Sequence, residues 1–176
     1  MKSVLASCAV VVVSLTGIAG QMPKAQPGPE QKRLEHFVGT WKMEGQMQPS
    51  PMGPGGPFSG TETCRMFEGG FHLVCDSKGT SAMGQMKGHM MLSYDRAAKT
   101  YRYFAINNMP DAEMATGTYA GNTWTWKGEM PLEGGKKMWS QFIITETSPT
   151  VHTLKWNTST DGKKWTTMME GKSTRQ

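Results

Sequence analysis

From Trp41 onward the chain is divided by turn residues into short alternating segments, and this punctuation excludes most folds. Gly69-Gly70, Gly121-Asn122 and Asp161-Gly162 have the composition of two-residue hairpin loops. Longer turns are spelled by residues 95–99, by Gly134-Gly135 and by Ser148-Pro149-Thr150. Between these turns apolar and polar residues alternate, as in strands with one buried face. The expected strands are 41–47, 59–68, 71–78, 86–94, 100–107, 113–120, 123–130, 137–146, 151–158 and 165–173. Such a series joined by tight hairpins is an up-and-down meander, and closing it removes the exposed edges. An all-β, antiparallel β-barrel of about ten strands is therefore expected, with a two-sheet sandwich as the alternative. One strand is ambiguous: in 100–107 both Tyr101/Tyr103 and Phe104/Ile106 form an apolar face.

A short helix precedes the first strand. Pro29 and Glu30 suit a first helical turn, and Leu34, Phe37 and Val38 make one apolar face. A helix this short is marginal alone, so it must dock, most simply across one barrel end. Residues 49–57 carry four prolines and are expected to form a loop outside any ladder.

Residues 1–20 read as a secretory leader. Lys2 supplies the positive start, an apolar run with Val10-Val11-Val12-Val13 follows, and Gly17-Ile18-Ala19 offers small residues for cleavage. The run is too short for a membrane span, and no other run in the mature chain approaches that length. The organisation expected is a leader at 1–20, a disordered linker at 21–28 and a barrel domain at 29–174. The net charge of +5 falls by one with Lys2. The remaining basic residues are scattered, which argues against a nucleic-acid partner.

Cys64 and Cys75 remain after the leader is removed, and an even count in an exported chain suggests a disulfide. If Gly69-Gly70 is the loop, Met66 faces Leu73 and Cys64 faces Cys75. Counting outward makes the cysteines a hydrogen-bonded pair at about 5.5 Å between Cα atoms, within disulfide range. The same count from Asp161-Gly162 pairs Thr158 with Trp165, Trp156 with Thr167 and Leu154 with Met169. It places His152, Leu154, Trp156, Trp165 and Met169 on the inner face.

A short helix running into Gly39-Thr40-Trp41 resembles the opening of lipocalin-like barrels. An ordered set of residues then resembles the exported bacterial family called domain of unknown function 1579. The set comprises Pro29-Glu30 to Leu34, Val38 to Trp41 with Glu44-Gly45, Cys64 to Phe71 and Cys75, and Tyr94-Asp95 with Tyr101. It continues through Gly121 to Trp126, Ser148-Pro149, Asp161-Gly162 to Trp165 and Glu170-Gly171-Lys172, so the similarity spans residues 27–173. The resemblance implies a calycin-like, lipocalin-type barrel in a periplasmic or secreted bacterial protein, and it implies no activity.

Catalytic signatures are absent. There is no nucleophile elbow, His-Glu-x-x-His, phosphate loop or dinucleotide fingerprint. Asp95 and Asp161 belong to turns, and Glu44 and Glu62 lie in strands with no partner that would make an acid/base pair. The expected role is therefore non-catalytic: binding of a small apolar molecule inside the barrel. The candidate lining is Trp41, Met43, Met66, Leu73, Met90 and Leu92 from the first strands, and Trp124, Trp126, Phe142, His152, Leu154 and Trp156 from the later ones. No cofactor is expected under this reading.

The first alternative is metal or haem handling. Methionine is unusually common, 16 against 7 leucines, and Met83, Met86, His89, Met90 and Met91 cluster in sequence as soft donors suited to copper. On one strand, however, Met86 and Met90 point opposite to Met83, His89 and Met91, so the plainer role is flexible core filling. His152 is the candidate haem ligand. The second alternative is an envelope interaction protein with a filled, ligand-free core.

Overall fold

In the computed structural model the described residues are 25–50 and 53–176. The expected leader at 1–20 and the first part of the linker lie outside them. A helix α1 (Pro29–Arg33) and a 3-10 turn (Leu34–Phe37) are followed by strands β1 (Gly39–Met47), β2 (Gly56–Met66), β3 (His72–Ser81), β4 (Gly84–Asp95) and β5 (Thr100–Asn107). Strands β6 (Glu113–Ala120), β7 (Thr123–Pro131), β8 (Lys137–Ser148), β9 (Val151–Ser159) and β10 (Thr166–Arg175) complete the chain. Each strand pairs with its neighbours in sequence, and β1 closes the ring onto β10, from Trp41 opposite Arg175 to Met47 opposite Met169. This is the expected antiparallel up-and-down barrel, and the sandwich is excluded. Among the described residues no helix is long and apolar enough to cross a membrane.

The alternation that marks the strands also sets their faces. In β7, Trp124 and Trp126 are buried while Lys127 and Glu129 lie outside. In β5 the ambiguity is resolved: Tyr101 is buried and Tyr103 half-buried, whereas Phe104 and Ile106 are left exposed on the outer wall. Leu34 and Phe37 are buried in the same cluster as Leu73, Leu92, Tyr101 and Trp124, so the N-terminal turn docks across one barrel end. The Tyr101 hydroxyl fixes it by donating to the Glu30 carbonyl at 3.1 Å.

Three local expectations are corrected. The Gly69-Gly70 hairpin keeps its register, with Cys64 opposite Cys75 and a disulfide between them. Its loop is longer than two residues, because the Phe67 N–H donates to the His72 carbonyl at 2.7 Å. Alternation from that bond makes Cys64/Cys75 a non-hydrogen-bonded pair, and their Cα separation of 4.1 Å fits that closer class.

The Asp161-Gly162 hairpin is also longer than two residues. Asp161 Oδ1 accepts from the N–H groups of Lys163 and Lys164, both at 2.8 Å, and rounds off a wide loop. Thr158 therefore faces Thr166, and a bulge at Met168 brings Trp156 opposite Met169 and Leu154 opposite Gly171. Trp165 belongs to the loop and is substantially exposed, so it does not share the inner face.

Finally, β2 begins at Gly56 and includes Pro57, opposite Gln46. The β2–β3 ladder starts only at Ser59, so the missing proline N–H removes no bond on that side.

Candidate functional site

All of the expected lining residues point inward, but they divide into two zones. At the helix end they form a plug. Trp41 is 1 % exposed and donates its indole N–H to the Phe37 carbonyl at 2.8 Å. Trp124, Leu73 and Leu92 are equally enclosed. His152 is packed among Trp41, His36 and Phe37, with ring centroids 4.4, 5.7 and 5.8 Å away. The Arg175 guanidinium lies 4.7 Å from the Trp41 ring centroid and donates to the His36 carbonyl at 2.6 Å, tying the end of β10 to the N-terminal turn.

Glu146 is the plug's acceptor. It receives the Trp124 indole N–H at 2.7 Å and the Tyr119 hydroxyl at 3.3 Å, and it stands 3.8 Å from His36 Nδ1. Burial is the main cause that pushes the His152 pKa down to about 4, helped by His36 and Arg175. Burial also lowers His36, opposed by Glu146. Both rings are therefore neutral at pH 7, and His36 Nε2 and His152 Nδ1 have no hydrogen-bond partner. The plug is a packed aromatic-histidine layer rather than a vacant cup.

Above the plug the inner wall changes character. Met43, Glu62, Met90, Tyr103, Phe142 and Trp156 all point inward, yet each remains partly accessible, whereas Met66, opposite Leu73, belongs to the helix end. Side chains directed into a closed barrel meet solvent only if the lumen itself admits it. Glycines occupy part of this inner wall. Gly60, Gly79, Gly88 and Gly128 sit at inner positions in four strands and contribute no side chain. Two larger rings are laid flat against the wall. A Cβ added at Gly45 would lie 2.6 Å from the Phe58 ring, and one added at Gly117 2.4 Å from the Trp126 ring. At the end of the barrel remote from the helix are two open depressions of about 320 and 380 Å³. The first lies on the outer wall, bordered by the outward-facing Asp76, Lys78, His89 and Ile106, and the second at the β2–β3 rim, bordered by Phe58, Thr80 and Ala82, so neither is a cavity inside the barrel.

The polar groups of this upper lumen were not singled out by the sequence. Glu62 lies on the inner face of β2, between Trp41 of β1 and Ser77 of β3. Its Oε1 is 3.6 Å from the Cys64 sulfur, which carries no proton because it is bonded to Cys75. Burial alone pushes its pKa up to about 7. Across the lumen the Tyr103 hydroxyl donates to Glu113 at 3.5 Å, and Asn107 donates to the other Glu113 oxygen at 3.3 Å. The Tyr103 pKa is raised, first by burial and then by Glu113 and Glu62, and burial raises Glu113. A signal for Glu62 existed: a carboxylate at the same parity as Cys64 and Met66 in an otherwise apolar face.

The candidate soft donors do not converge. Met86 and Met90 share the inner parity of β4, His89 and Met91 the outer one, and Met83 sits in the β3–β4 turn. His89 instead pairs with Asp76 on the outer surface. Donor atoms of Glu62, Cys64 and Cys75 lie within 4.8 Å of one another, but the disulfide occupies both sulfurs and leaves Glu62 as the one free donor of the three.

Solved structures of similar fold include two of low sequence identity. The crystal structure of Rv2717c from M. tuberculosis is 12 % identical with a TM-score of 0.58, covering 86 % of this chain and 99 % of that one. The S-type phycobiliprotein lyase CPES from Guillardia theta is 11 % identical with a TM-score of 0.54, covering 84 % and 92 % respectively. No curated protein matches the sequence. The family pattern described as "Protein of unknown function (DUF1579)" matches residues 26–175, so the chain belongs to that family.

Proposed function

We propose that this is an exported, non-catalytic barrel protein that takes a small, largely apolar molecule into its upper lumen. The observation that carries the reading is the partial accessibility of Met43, Met90, Phe142 and Trp156, which point inward within a closed wall. An apolar, aromatic-lined hollow with few polar groups is the usual form of a small-molecule site. Methionine suits such a wall because its unbranched thioether adapts to varied shapes. A barrel of similar fold in Guillardia theta is a phycobiliprotein lyase. Export rests on the leader at 1–20 together with the Cys64–Cys75 disulfide, which belongs to an oxidising compartment.

Titration with Nile red, a neutral apolar dye, tests the reading. One molecule should bind per chain with a blue-shifted emission and quenching of tryptophan fluorescence. Met90→Trp fills the middle of the lumen and should abolish binding while far-UV circular dichroism stays unchanged. Binding that survives in folded Met90→Trp, or no binding to the wild type, would reject the lumen as the site.

A further inference from the structure

The charges of this protein are segregated across its wall. The chain is net basic, yet the strand lysines lie on the outside: Lys42, Lys78, Lys87, Lys127, Lys155 and Lys172 occupy outer positions. Above the plug, the charged side chains on the inner wall are two carboxylates, Glu62 and Glu113. Among the described residues neither pairs with a basic group. Arg175 is held below, over Trp41 and on the His36 carbonyl. Glu113 is satisfied by Tyr103 and Asn107. Glu62 is not: its one close polar contact is a disulfide sulfur, which donates nothing.

Glu62 is partly accessible from the lumen, and no neighbour on β1 or β3 donates to it, so its carboxyl is free to take a ligand's donor. Trp41 lies beside Glu62 on β1, and other aromatic rings line the inner wall; the faces of tryptophan and tyrosine attract cations. Tyr103 and Trp126 lie 5.9 Å apart, and Trp126 stacks parallel to Trp124 at 6.0 Å. We infer that the natural ligand is an apolar molecule bearing a protonated amine, and that the amine is held by Glu62 in the lumen. Glu113 at the outer end of the same wall gives the entrance the same sign. An anionic amphiphile such as a fatty acid is disfavoured by the same two carboxylates.

This inference rests on the lumen being the binding site, and the experiment separates the two claims. Three probes share one apolar body and differ in charge: 1-naphthylmethylamine, 1-naphthalenemethanol and 1-naphthoate. Each is titrated calorimetrically at pH 8 into the wild type, Glu62→Gln, Glu62→Ala and Met90→Trp. The ammonium probe should bind at least tenfold tighter than the alcohol, and the carboxylate weakest. A charge-assisted hydrogen bond supports a preference of this size. Glu62→Gln keeps the shape and should erase the preference, lowering ammonium affinity about tenfold and leaving the alcohol unchanged. Glu62→Ala, which removes the carboxyl outright, should behave alike and guards against an artefact of the amide. Equal binding of ammonium and alcohol, or a preference that survives in both Glu62 variants, overturns the inference while the lumen reading stands. Binding of all three probes to folded Met90→Trp overturns both.

Discussion

Two buried groups with opposite proton affinities should make the stability of this protein nearly flat across mild acid, and single substitutions should tilt it. His152 in the plug titrates near pH 4 in the folded state against 6.5 unfolded. Between those values the unfolded chain binds one more proton, so His152 makes stability rise with pH. This contribution is complete above pH 6.5 and lost as pH falls through 4. Glu62 works in reverse, titrating near 7 folded against 4.5 unfolded. Between those values the folded state binds the extra proton, so Glu62 makes stability fall with pH. Each slope is about 1.4 kcal/mol per pH unit, and from about pH 4.5 to 6.5 the two oppose. His36 shifts in the direction of His152 and Glu113 in that of Glu62, so these two groups also pull in opposite senses. The wild type should therefore change little over this window. Glu62→Gln should gain about 2–3 kcal/mol from pH 4.5 to 6.5, and His152→Phe, which keeps an aromatic ring against Trp41, should lose a similar amount. The double variant should be flat again. Urea unfolding followed by tryptophan fluorescence at half-unit pH steps measures all four. Parallel profiles for the two single variants would refute the argument, because neither group could then be titrating as its burial requires.

Other consequences are simpler to test. Thiol titration of unfolded, unreduced protein should find neither Cys64 nor Cys75 free, and reduction should cost about 2–3 kcal/mol for a loop of this length. Trp41→Ala removes the sealed plug ring and its bond to Phe37 and should cost roughly 3–5 kcal/mol. Trp139→Ala, on the outer wall of β8, should cost clearly less by urea denaturation. Gly117→Ala places a methyl group 2.4 Å from the Trp126 ring. It should destabilise by about 1–3 kcal/mol and alter the near-UV circular dichroism of the tryptophans, and an unchanged spectrum would contradict the flat placement of that ring.

The strands, their faces and the docking of the N-terminal turn were legible because they follow from local rules. Period-two alternation assigns Trp124 and Trp126 to the interior whatever the rest of the chain does, and the Gly69-Gly70 turn fixes Cys64 opposite Cys75 by counting. Where the local rule was equivocal, the reading failed or stayed open. Asp161-Gly162 has a hairpin composition, but the side chains of Ser159 and Asp161 bond the backbone of the following residues and stretch the loop. That shifted the pairing and carried Trp165 out of the interior. Strand β5 has two apolar faces, and alternation cannot choose between them.

What the sequence determined by itself is the meander, its disulfide and the helix that seals it, since each depends on residues close together along the chain. What only the tertiary structure decided is how deep each inward residue lies. Trp41 and Met43 are two positions apart on one face of β1, yet one is sealed in the plug and the other lines the accessible lumen. The difference comes from Leu34 and Phe37 folding over one end, while the inner positions toward the other end include glycines that bring no side chain. Glu62 acquires its meaning in the same way. In the sequence it is one carboxylate in a strand; in the closed barrel it faces the lumen, and among the described residues no strand offers it a cation.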